Sequence, residues 1–224
     1  MTHGPVHARL VDAAFALFDQ YDFDAVTVDD IAERAGLSRT TFFRHFRTKE
    51  EVIFPDHDAI LDRIERQFER SGGSSPILET CRAARSVIAY YIAEGDRALF
   101  RYRMTSSVPA LRDREIACAY RYQRTFRSFL ARTTTSTPNT DILAEIQAAT
   151  VVTTSNHVIR RWLRGATHRP LDEFDELTST ITQMHWGSWT TDASPRTNPS
   201  RIIVIQTTED LDTLLPRLRK ALPD

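Results

Sequence analysis

Between Thr27 and Lys49 the chain reads TVDDIAERAGLSRTTFFRHFRTK, and this stretch constrains the fold more than any other. Thr27 is a good helix N-cap, and Asp30 three residues later makes an acidic version of the capping box. Val28, Ile31, Ala32 and Ala35 recur at helical spacing and mark one buried face. Gly36 falls where that helix has to stop, because glycine tolerates the left-handed backbone a helix end often needs. Leu37 then turns inward, and Ser38 caps a second helix in which Phe42 and Phe46, four residues apart, point to the core. Two short helices joined by a glycine turn are therefore expected here.

The second helix has a one-signed outer face. Ser38, Arg39, Thr40, Thr41, Phe43, Arg44 and His45 lie on it or at its start, Arg47 and Lys49 follow, and no acid falls between Ser38 and Lys49. A short, unopposed basic helix behind a tight turn suits entry into the DNA major groove, where N-terminal helix residues meet base edges. Arg39 can pair with guanine, and Thr40 and Thr41 can touch bases or phosphates. Arg44, His45 and Lys49 lie later and suit phosphate contacts, which hold register without reading sequence. Thr48 opens T-K-E-E, a capping-box pattern. It predicts a further helix from Thr48 to about Arg70, with Lys49 at its N-terminus.

The segment from Arg9 to Val52, with LVDAAFALF, TVDDIAERAGLS, TFFRHF and TKEEV in order, resembles the N-terminal DNA-binding domain of the tetracycline-repressor (TetR) family. The resemblance covers about a fifth of the chain. It implies an all-α homodimer whose first three helices bind double-stranded operator DNA, while a larger helical domain binds a small-molecule effector and dimerises. By the same resemblance Thr27, Arg39, Thr41, Phe43, His45 and Lys49 take DNA-contact positions. Three positions depart from the family pattern. Asp22 and Thr40 replace frequent glycines, and Phe43 replaces a common tyrosine and so lacks its hydroxyl.

Composition adds limits. The net charge of −1 gives no bulk hint of nucleic acid, so the signal is local. Even within residues 1–50, acids outnumber bases, and the positive charge gathers on the groove-facing edge. With 41% apolar residues in 224, the chain can bury one good core plus a small module. Cys81 and Cys118, with no signal-peptide core at the N-terminus, suggest reduced thiols and a cytoplasmic location. No apolar run approaches the ~18 residues of a membrane span. Arginine far outnumbers lysine, which we read as genome base composition.

Periodicity lays out the rest. The first helix is expected over about Val6–Tyr21. Pro55 should kink or restart the helix that Thr48 begins. After the loop Ser71–Pro76 comes a helix with Ile77, Cys81, Ala84, Ile88, Tyr91 and Ile92 in its stripe, ending near Gly95, and then a shorter helix with Leu99, Phe100 and Met104. Pro109 should open a long helix to about Arg132 with Ile116, Tyr120, Gln123, Phe126 and Leu130 inward. Helices over Asp141–Arg164 and from Leu171 to about Trp186 are the dimer elements that the resemblance implies. The tail, with strand-like Arg201–Gln206 and a short helix broken by Pro216, is unusual for the family. Three parts follow: residues 1–48 as the DNA-binding head, 49–190 as the ligand-binding and dimerisation domain, and 191–224 as an extension.

Tyr91, Phe100, Arg103, Tyr120, Gln123, Phe126 and Asn156 are candidates for an effector pocket, since ligand sites are mostly apolar with a few placed polar groups. Arg103 would suit an anionic ligand. His57 and His157 face inward by spacing and read as hydrogen-bonded core histidines. No metal-ligand spacing, nucleophile–base signature or phosphate-cradling glycine loop occurs, so no cofactor or metal is expected and the reading is a regulator rather than an enzyme. The alternatives are a DNA-binding-impaired interaction adaptor and an enzyme carrying a DNA-binding head.

Overall fold

The computed structural model describes residues 4–71, 75–133 and 140–183. Among them every regular element is helical, so the all-α expectation holds. The strand-like segment at 201–206, the tail helix and the end of the last long helix lie outside the described residues. In chain order the helices are α1 (Pro5–Phe18), α2 (Val28–Arg34), α3 (Arg39–His45), α4 (His57–Glu69), α5 (Pro76–Glu94), α6 (Asp96–Ser107), α7 (Pro109–Thr133), α8 (Thr140–Leu163) and α9 (Pro170–Gln183).

The α2–α3 unit forms as its sequence demands. Thr27 Oγ1 accepts from the Asp30 N–H at 3.2 Å, while Asp30 Oδ2 accepts from the Thr27 N–H at 2.8 Å, which completes the reciprocal box. Gly36 has φ +63°, the Leu37 N–H reaches the Ala32 carbonyl, and the Gly36 N–H reaches Glu33. That is a Schellman ending. The Arg9 guanidinium comes across from α1 to the Ala35 and Gly36 carbonyls, so the α2 end is also held from outside its own helix. Ser38 Oγ accepts from the Thr41 N–H at 3.1 Å and starts α3. Phe42 and Phe46 are buried, as their spacing required.

One expected helix is divided. Thr48 does not cap a continuous helix to Arg70. Instead Glu51–Ile53 forms a single 3₁₀ turn, Phe54 is extended, and α4 begins at His57 behind Asp56, whose Oδ1 accepts from Ala59 N–H at 2.9 Å. Pro55 explains the break, because it lacks an N–H and its ring forces the preceding residue out of the helical region.

Two apolar cores result. The first joins α1, α2 and α3 to Val52, Ile53 and Phe54, and includes Leu111 from α7, which is fully buried there. Phe100, Met104 and Val108 pack on the same core from the α6–α7 corner. The second core is built by α4, α5, α7, α8 and α9 around Ile64, Ile88, Phe126, Leu130, Val151 and Phe174. The long helix α7 thus contributes to both. Phe126 and Leu130 are buried as expected, but Ile116 and Tyr120 are 60% and 64% exposed, and Cys118, Tyr122 and Phe129 are buried instead. Two adjacent stripes on α7 are both apolar, and contact with α4 and α8 selects between them.

Candidate nucleic-acid interface and ligand cavity

The outer side of α3 carries Arg39, Thr40, Phe43, Arg44 and His45, all exposed, with Thr41 half-buried beside Ser38. The Thr41 hydroxyl lies 2.9 Å from Ser38 Oγ, which fixes its position at the helix start. Arg39 reaches back to Asp29 on α2 at 2.6 Å, with both side chains 60% exposed, and its guanidinium sits 5.3 Å from the centre of the Phe43 ring. An ion pair that open to water contributes little, so Arg39 can exchange Asp29 for another anion or a base edge at low cost. The His45 ring meets His7 of α1 edge-on at 6.2 Å. Thr27 is occupied as the α2 cap.

Lys49 is placed differently from the expectation, because no helix begins behind it. Its Nζ donates to the carbonyls of Phe23 and Val26 at 2.8 and 3.0 Å and lies 4.4 Å from the centre of the Phe23 ring. It ties the segment after α3 to the turn before α2, and one of its three ammonium protons remains beyond those two bonds.

The pocket candidates separate into two groups. A cavity of about 270 Å³ lies among α4, α5, α7 and α8. Tyr91, Phe126 and Asn156 line it, as expected. Phe100, Arg103, Tyr120 and Gln123 do not. Phe100 packs on Phe15 of the head with ring centres 5.2 Å apart, and Arg103 is exposed with its guanidinium near the Phe100 ring. Tyr120 faces outward, and Gln123 Nε2 donates to Glu145 of α8 at 2.6 Å.

Other side chains take those places. His57 supplies the α4 wall, Ala84 and Val87 the α5 wall, Cys118 and Tyr122 the α7 wall, and Val152 and Ile159 the α8 wall. Phe54, a member of the head core, reaches the same cavity. Burial pushes the Cys118 thiol up, so it is a neutral apolar wall rather than a thiolate. The His57 ring is buried, with Nδ1 2.9 Å from the Tyr122 hydroxyl. Burial, with the Arg101, Arg121 and Arg114 charges nearby, lowers its pKa to about 4, so the ring is neutral at physiological pH. His157, the other histidine with inward spacing, is exposed.

Arg101, also on the cavity wall, joins the two cores. Its Nε donates to the Ile53 carbonyl at 2.7 Å, and Nη1 and Nη2 donate to Glu94 at 2.8 and 3.0 Å. The two side chains are only 6% and 16% exposed. A bidentate fork of this kind needs arginine's planar geometry. In the sequence the pairing had one trace, an acid and an arginine flanking the Gly95 turn, whereas nothing there linked Arg101 to Ile53, 48 residues away.

Residues 10–54 match the family model for bacterial regulatory proteins of the tetR family. The chain is similar to a putative mycofactocin biosynthesis transcriptional regulator, MftR, of Mycobacterium tuberculosis. The two are 25% identical over 159 residues, which is 70% of this chain and 79% of that protein. It is similar also to the HTH-type transcriptional regulator HbdR of Aromatoleum, 27% identical over 46% of this chain and 45% of that one. Among solved structures, the transcriptional regulator FadR from Bacillus subtilis in complex with stearoyl-CoA superposes with a TM-score of 0.54. At 12% identity it covers 79% of this chain and 98% of its own, and the likeness is one of fold.

Proposed function

We propose that this chain, a TetR-family transcriptional regulator, is a cytoplasmic homodimeric repressor that a small molecule releases from its operator. The three-part division of the chain, with residues 1–48 as head, belongs to this reading. In it Arg39, Thr40, Thr41 and Phe43 meet base edges. Ser38, Arg44, His45 and Lys49 meet phosphates, and Thr27 supports the contact from the start of α2. The broad apolar faces of α8 and α9 support dimerisation, with Ile142 and Leu177 left exposed on them. A dimer would present two recognition helices to successive major grooves about 34–36 Å apart.

The observation that carries control by a ligand is the shared wall. Phe54 belongs to the head core and lines the cavity, and Arg101 lines the cavity while holding the Ile53 carbonyl. A molecule entering there touches the residues on both sides of Pro55. A ligand with different affinities for two head positions shifts their populations, and operator DNA must weaken its binding by the same factor. FadR from Bacillus subtilis, solved with stearoyl-CoA, shows that a related fold takes a ligand.

The test is a gel-shift series on the promoter beside the chain's own gene, with light scattering on the free protein. Binding of one dimer, falling steeply with salt, supports the reading. A monomer at micromolar concentration, or binding that no cavity ligand alters, overturns the corresponding part of it.

A further inference from the structure

On the cavity wall one polar side-chain atom is both fully buried and left without a partner by the fold. His57 Nε2 is buried and, among the described residues, is the buried side-chain nitrogen or oxygen with no hydrogen-bond partner. The ring is neutral, so two tautomers are open to it. If Nδ1 carried the proton and donated to Tyr122, the tyrosine O–H would need another acceptor and Nε2 would still be unpaired. If the Tyr122 O–H donates to Nδ1, one group alone is left over, an N–H on Nε2. The second arrangement wastes less, and a buried donor without a partner is costly.

The buried charge on the cavity wall is already matched. The Arg101 fork is committed to Glu94 and its Nε to the Ile53 carbonyl. At the rim Arg160 and Glu115 have opposite signs. The cavity's buried cation is thus neutralised and Arg160 is exposed at the rim, so an anion drawn inside would lose its water without a free buried cation to meet it.

We infer, on the reading that this cavity is the effector site, that it is built for an uncharged, largely apolar molecule whose hydrogen-bond acceptor, a carbonyl oxygen in the simplest case, takes the Nε2–H of His57. Tyr122 is the positioning residue that keeps the proton on that nitrogen. Nε2 is closed to solvent, so an acceptor reaches it only if the ring or the first turn of α4 shifts. His57 is the first residue of α4, two positions beyond Pro55. Recognition of the acceptor and displacement of the segment leading to the head are then one event.

Titration calorimetry on the full chain tests this with four probes: 1-tetralone, its hydrocarbon tetralin, 1-naphthoate and lauroyl-CoA. The wild type should prefer tetralone to tetralin by about tenfold, the worth of one buried hydrogen bond. His57→Phe should abolish that preference while still binding tetralin, and retained tetralin binding reports an intact cavity. Tyr122→Phe should reduce the preference and shift the imidazole ¹⁵N signals away from the Nε2–H tautomer.

Equal binding of ketone and hydrocarbon, a preference that survives His57→Phe, tighter binding of naphthoate, or no binding by any probe would each overturn the assignment. A gel-shift arm separates this from the wider reading. If lauroyl-CoA or naphthoate releases DNA and tetralone does not bind, the ligand class falls and control by an effector stands. If tetralone binds through His57 without moving operator affinity, the class stands and its role in release falls.

Discussion

Two of the arginine–carboxylate pairs among the described residues have opposite settings. Arg39–Asp29 lies on the recognition face with both side chains 60% exposed, and Arg101–Glu94 lies between the cores at 6% and 16%. The first is cheap to break, which on the proposed reading frees Arg39 for DNA. The second has given up its water, so either partner alone would be a stranded charge. One pairing chemistry thus serves a surface that can exchange partners cheaply and a joint that cannot.

Replacing Arg101 gives the sharpest test of this contrast. Arg101→Ala leaves Glu94 buried without its partner and the Ile53 carbonyl without its donor, and should cost about 3–5 kcal/mol in urea unfolding. The double change Arg101→Leu with Glu94→Leu should recover much of that, since a buried pair is often matched by apolar residues of similar size. A loss below about 1 kcal/mol for Arg101→Ala would make the buried pair no different from the surface one.

The next effect is set by pH. His57 has a folded pKa of about 4, below the unfolded value of about 6.5. The unfolded chain therefore binds the proton first. The contribution is fully present above about pH 6.5, is lost as pH falls towards 4, and is constant below that. The loss amounts to at most about 3 kcal/mol. Thermal melts of wild type and His57→Phe across this window should differ in slope, and parallel curves would show that the ring titrates normally.

On the recognition face the effects are smaller and fall on DNA. Arg39→Ala should relax base preference by about 1–3 kcal/mol at one position, while folding stability moves by less than about 1 kcal/mol. Competition gel shifts with single-base operator variants, beside urea unfolding, measure both. Last, Thr27→Ala removes the side-chain half of the capping box and should cost the head about 1 kcal/mol. Amide exchange in α2 reports it, and unchanged protection there would show that Arg9 and the Schellman turn suffice to hold α2.

The two regions also differ in how far the sequence discloses them. The box at Thr27, the turn at Gly36, the cap at Ser38 and the burial of Phe42 and Phe46 were legible because each depends on residues within five positions. The cavity is assembled from residues 54 to 160, and periodicity alone cannot say which of two apolar stripes faces a distant helix. On α7 the reading chose Tyr120 and Gln123 where the fold uses Cys118 and Tyr122. Arg103 was the candidate cation, but Arg101 is the buried one, because its partners are a carboxylate across a glycine turn and the Ile53 carbonyl. The expectation at Thr48 failed for a local reason, since Pro55 outweighed the capping pattern before it.

Leu111 bears on how freely such chains can exchange parts. It is a residue of α7 that lies fully inside the core built by α1 to α3, against which Val108, Met104 and Phe100 also pack. A hybrid made by cutting at residue 54 and attaching a foreign head would ask that head to receive a leucine shaped for another socket. The transferable unit is therefore discontinuous: residues up to about 54 together with the α6–α7 corner. Hybrids of this chain should fold when both pieces travel together and yield insoluble protein when the first travels alone.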